Sequence, residues 1–135
     1  MDVVALVGRI LFALVFLGSA FGHFTQSTQM AGYAQSKRVP APRVAVLGTG
    51  ALQLVGALLI VLGIWGDLGA LLLVVFLIPT AVIMHGFWAE TDPQARQTEM
   101  VQFLKDISLA GAALALIALF AVGHIGLTLT GPLFG

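Results

Sequence analysis

Four separate apolar runs, each about twenty residues long, leave this chain few ways to fold, and the third, residues 68–88, sets the constraint most sharply. It holds no Lys, Arg, Asp or Glu. A helix rises ~1.5 Å per residue, so such a run crosses the ~30 Å hydrocarbon core of a bilayer. Pro79 sits inside the run and cannot donate to the carbonyl of Val75, which predicts a freed carbonyl and a bend. His85 and Trp88 close it. An ionisable side chain and a loosened backbone in one membrane helix point to the interior of a bundle.

The other runs, residues 3–22, 44–64 and 103–122, complete an all-α fold: a single integral membrane bundle of four transmembrane helices. With 59% hydrophobic and 9% charged residues, an ordinary soluble domain is excluded. A lipid-facing barrel would show ten-residue alternating segments instead. The formal net charge of zero gives no reason to expect nucleic acid as a partner. With no cysteine, the chain alone cannot carry out thiol chemistry.

The first run lacks a basic start and holds its positive charge, Arg9, internally, so it reads as a retained helix rather than a signal peptide. Steps of three and four from Arg9 give Phe12, Phe16, Ser19 and His23, one stripe with a polar group at each end. An arginine in a membrane helix faces protein or water, or snorkels to the interface. Arg9 is therefore read as snorkelling or structurally paired, with ligand contact as the alternative. Gly18 with Gly22, and Gly48, Gly56 and Gly63 on the second span, are expected to form packing faces.

Between the first two spans lies a polar stretch, expected to hold a short interfacial helix ending near Ser36 before the Pro40-Ala41-Pro42 stop. Gln53 falls near the bilayer midplane. A buried amide without a partner costs ~1–3 kcal/mol, so Gln53 should bond another helix or a ligand. The short connection after Gly63 makes the second and third spans an antiparallel hairpin. It places Asp67 on the side where Arg9 lies, which predicts a structural Arg9–Asp67 pair. Leu71, Val74, Ile78, Ala81, His85 and Trp88 are expected on one inward face. Asp92-Pro93 reads as a helix start outside the membrane, with Lys105 and Asp106 at the beginning of the fourth crossing. The tail from Gly123 receives no role.

Lys37, Arg38, Arg43, Arg96 and Lys105 lie on the two polar connections, against Arg9 alone on the other side. The positive-inside rule then puts those connections in the cytoplasm and both termini outside it. His23, His85, Lys105 and Asp106 fall in the cytoplasmic layer with Gln53 deeper, whereas Arg9 and Asp67 fall in the opposite layer. Two histidines without further ligands make a poor metal site, so no metal is expected.

Gly-His-Phe at 22–24, Gly-Tyr-Ala followed by Val-Pro-Ala-Pro within 32–42, Leu-Gly-Thr-Gly-Ala-Leu-Gln-Leu-Val-Gly-Ala at 47–57, His-Gly-Phe-Trp at 85–88 and Phe-Leu-Lys-Asp at 103–106 together resemble the DoxX family. The resemblance covers nearly the whole chain. It implies a multi-pass protein of the bacterial inner membrane, related to the DoxD subunit of a thiosulfate:quinone oxidoreductase. Gln53 stands where the family often has Glu, and Asp106 where it often has Asn. A glutamine cannot take up a proton.

Two functions follow. The first is a component of a membrane redox system that contacts quinone as substrate, with no built-in cofactor. His23, Gln53, His85, Trp88 and Lys105 are its candidate binding residues: a histidine bonds one carbonyl and Lys105 favours the reduced anion. The second is a non-catalytic accessory subunit docking a larger membrane complex. The expected neighbours are the lipid bilayer, another membrane or redox protein, and a second copy of the chain.

Overall fold

The computed structural model describes residues 1–135. Its helices are α1 (Asp2–Thr25), α2 (Ser27–Ser36), α3 (Pro42–Leu62), α4 (Gly66–Met84) and α5 (Pro93–Ala121), with a short 3-10 turn at Phe87–Ala89 between the last two. There is no strand. The four long helices are each apolar and long enough to cross a membrane, so the fold is an all-α membrane bundle in contact with lipid.

Local chemistry sets the helix ends. Pro42 and Pro93 occupy first helical positions, where the missing N–H has no partner to lose. The Asp92 carboxylate accepts the N–H of Ala95 at 2.9 Å, the expected cap, so α5 begins well before its membrane crossing. At the other end of α3, Gly63 turns left-handed at φ 65°, and Ile64 N–H returns to the Leu59 carbonyl at 3.0 Å. A side chain at Gly63 would meet the Thr128 backbone at 2.6 Å, so the position needs glycine for space as well.

Packing runs from α1 to α3, α3 to α4 and α4 to α5, while α2 lies mainly against α3. The core is built from small and medium side chains: Ala13, Phe16, Ala57, Ile60, Ala70, Leu73, Leu77, Ala110 and Ala113. Many other large aliphatic side chains, Leu11, Leu14, Val75 and Leu114 among them, face outward, where lipid replaces water. Lipid gives no hydrophobic drive between helices, so close contact of small residues does the packing. Gly56 and Gly69 mark a close approach of α3 and α4: a Cβ on Gly69 would lie 2.8 Å from the Gly56 carbonyl oxygen. Gly18, Gly22 and Gly48 differ from expectation, because nothing packs within 4 Å of where their side chains would be.

The inward face of α4 also differs from expectation. Gly66, Asp67, Gly69, Ala70, Leu73, Leu77 and Ala81 are buried, whereas Leu71 and Ile78 are exposed. The small residues decide the face because they permit the approach of α3. Trp88 leaves it altogether: α4 stops at Met84, and the 3-10 turn stacks Phe87 and Trp88 edge-on against Phe103 of α5, with ring centroids 5.4 and 5.6 Å away.

Arg9 and Asp67 are both buried, with 1% and 0% exposure, which rules out snorkelling for Arg9. The expected pair is not formed, since no ion pair of the structure joins them. Both charges instead hold the C-terminal tail. Arg9 donates to the carbonyls of Ile60 at 3.3 Å, Gly126 at 3.2 Å and Leu127 at 2.7 Å, leaving only its Nε without a partner. Asp67 accepts the N–H groups of Leu133 at 2.9 Å and Phe134 at 2.6 Å, and that of Leu68 at 3.0 Å. Further bonds join Leu129 N–H to Leu62 O and Thr130 N–H to Gly63 O, and Trp65 N–H donates to the Thr130 hydroxyl. An irregular segment at the bundle end carries main-chain groups that no helix satisfies, and the two charges satisfy them. The tail is a structural cap, a role its composition did not suggest.

Candidate functional site

At the opposite end, near α2, all five helices line an open-sided cavity of about 450 Å³. Its walls are largely apolar, with Phe16, Met30, Phe76, Leu77 and Ile83 among them. Of the expected binding residues, His23, Gln53, His85 and Lys105 line it together. Trp88 does not, for the reason given by the turn after Met84.

His23 and Gln53 form the deepest polar group. Gly50 on α3 leaves room for His23: a Cβ there would sit 2.7 Å from the His23 Cβ. The His23 Nδ1 lies 2.7 Å from the Ser19 carbonyl oxygen. A carbonyl only accepts, so Nδ1 carries the proton and, in the neutral ring, Nε2 is an acceptor. Gln53 Nε2 then donates to His23 Nε2 across 3.4 Å. Gln53 is 0% exposed, and its Oε1 has no hydrogen-bond partner. The amide meets another helix as expected, but only with its donor half.

A second polar group lies where α4 and α5 meet α2. His85 Nδ1 is 2.7 Å from Glu99 Oε2, and the Tyr33 hydroxyl donates to Glu99 Oε1 at 2.8 Å and contacts the Met84 carbonyl at 3.2 Å. Asp106 is buried against the same histidine, with His85 Nε2 at 3.8 Å and Lys105 Nζ at 3.7 Å, both beyond hydrogen-bond length. Lys105 is half exposed and donates to Gln102 Oε1 at 2.6 Å. Burial, the Glu99 hydrogen bond and the nearby negative charges of Glu99 and Glu90 push the Tyr33 hydroxyl up to about 12, so it remains a neutral donor. An ion pair between Lys37 and Glu90 at 3.4 Å ties the end of α2 to the loop before α5.

Tyr33 and Glu99 are not among the binding residues expected from the sequence. A signal was present: Glu99 and Asp106 are seven residues apart and therefore share one face of α5, continued by the buried Ala110 and Ala113.

The DoxX family model matches residues 4–86. Inner membrane protein YphA of Escherichia coli strain K12 is 33% identical over 125 residues, covering 93% of this chain and 88% of that protein. No solved structure matches.

Proposed function

The chain belongs to the DoxX family and is a small multi-pass inner-membrane protein; on that premise we propose that its cavity binds the headgroup of a membrane quinone as part of a redox system. The observation that carries this reading is the unpartnered Oε1 of the fully buried Gln53 beside an apolar cavity of about 450 Å³. Small-molecule sites have volumes of ~300–1,000 Å³, with apolar walls and a few placed polar groups. A quinone suits that pattern: a flat apolar ring with oxygens at its edge, which carry hydrogens once the ring is reduced, and a tail that partitions into lipid. A bundle whose polar groups serve packing alone leaves the Gln53 oxygen unsatisfied, at ~1–3 kcal/mol.

His85, Glu99, Asp106 and Lys105 put ionisable side chains beside the cavity, and quinone reduction consumes protons. The α2 end carries the basic connections and is the cytoplasmic end in this reading. Electrons come from a partner protein in the membrane. To test the reading, the chain is purified in mild detergent, and its extract is assayed by mass spectrometry. Quinone near one equivalent, counted over its oxidised and reduced forms, is expected. A folded wild-type protein free of quinone, and unable to take it up when it is added, overturns the proposal.

A further inference from the structure

Hydrogen-bond polarity in the cavity carries a specificity beyond the class of ligand. Ser19 O fixes the proton on His23 Nδ1, the lone pair of His23 Nε2 fixes the donor half of the Gln53 amide, and Gln53 is left offering an acceptor, Oε1. Reversing the amide would place an oxygen against that lone pair unless His23 were a buried imidazolium, with both nitrogens donating. Asp106 is a second acceptor on the same cavity: it accepts no hydrogen bond of normal length, and the nearest nitrogens, Lys105 Nζ and His85 Nε2, stand at 3.7 and 3.8 Å.

We infer that the Ser19–His23–Gln53 chain makes the cavity selective for a ligand that donates hydroxyl hydrogens, so that it holds the reduced, dihydroxy form of a quinone in preference to the oxidised form. This rests on the quinone reading above and deepens it. A hydroquinone gives each acceptor a hydrogen. A quinone brings only acceptors, and places one carbonyl oxygen against another. Gln53 is the residue that sets the selectivity, and His23 positions it by fixing which end of the amide faces inward.

The experiment measures binding of a short-chain benzoquinone, its hydroquinone and the hydroquinone dimethyl ether to the full chain in detergent, without oxygen. The hydroquinone is expected to bind about tenfold or more tighter than the quinone or the ether, the scale of one unsatisfied buried acceptor. Gln53→Leu should bring the three within about twofold. Gln53→Glu should keep the hydroxyl preference, because a carboxyl group facing His23 retains an outward acceptor. Quinone binding as tight as hydroquinone in the wild type, or a preference unchanged in Gln53→Leu, overturns the inference. If neither redox form binds, the quinone reading falls and a phenol with its methyl ether decides the inference. Phenol preference lost in Gln53→Leu upholds it, and any other result overturns it.

Discussion

Replacing Asp67 with Ala removes the acceptor for two main-chain N–H groups of the tail, those of Leu133 and Phe134 at 2.9 and 2.6 Å. Hydrogen bonds to a charged group are worth ~1.5–3 kcal/mol each. Part of that loss is offset, because a buried carboxylate no longer has to be desolvated. A net loss of about 3 kcal/mol remains, which shifts the balance between docked and released tail by about a hundredfold. The helices pack through other contacts, so the bundle itself should persist. Hydrogen exchange read by mass spectrometry should show the last ten or so residues losing protection in Asp67→Ala, with the core of α3 and α4 unchanged. Arg9 grips the carbonyls of Gly126 and Leu127 on the same tail but does not touch Asp67. Adding Arg9→Leu should therefore not restore the tail, as it would if the two charges neutralised each other. Unchanged tail protection in Asp67→Ala, or recovery in the double variant, refutes the reasoning.

Tyr33 is the chain's single tyrosine, so ultraviolet titration reports on it alone. Its phenol is raised to about 12 and should stay neutral through pH 10, whereas an unfolded chain ionises near ~10. The neutral Tyr33 therefore contributes stability below pH 10 that disappears as pH approaches 12. Glu99→Gln should move the transition back towards 10. Gly69→Ala places a methyl 2.8 Å from the Gly56 carbonyl oxygen and the Leu59 Cβ, and should lower stability by ~1–3 kcal/mol in a detergent unfolding assay. Gly111→Ala, with open space at that position, serves as the neutral comparison. An alkaline phosphatase fused after Gly135 should be active and a fluorescent cytoplasmic reporter dark, since the basic connections hold the α2 end inside.

The spans were legible because hydropathy accumulates residue by residue, and the start of α5 because Asp92-Pro93 acts locally. Arg9, Phe16 and His23 were legible as one face because α1 keeps regular spacing throughout. The partners of Arg9 and Asp67 were not. Those charges are satisfied by main-chain groups of a tail with no helical period, reached from up to 118 positions away in sequence. Trp88 was misplaced for a related reason: helical spacing was carried past Met84, where the helix has already ended. The cavity joins both kinds of case. His23 and Gln53 could be picked out as polar groups in apolar runs, but their hydrogen-bond polarity depends on Ser19 O, a main-chain atom. Tyr33 and Glu99 lie in polar stretches, where a tyrosine and a glutamate attract no notice until α2 folds against the ends of α4 and α5.

The most direct test of the central claim is where a photoreactive quinone attaches. A short-chain azidoquinone is illuminated with the purified chain, and the labelled peptides are identified by mass spectrometry, with excess hydroquinone as competitor. Label on the cavity walls, in segments around His23, Met30, Gln53 and Leu77, suppressed by the competitor, is the predicted result. Label confined to the outer faces of the helices, or left unchanged by the competitor, would contradict the account.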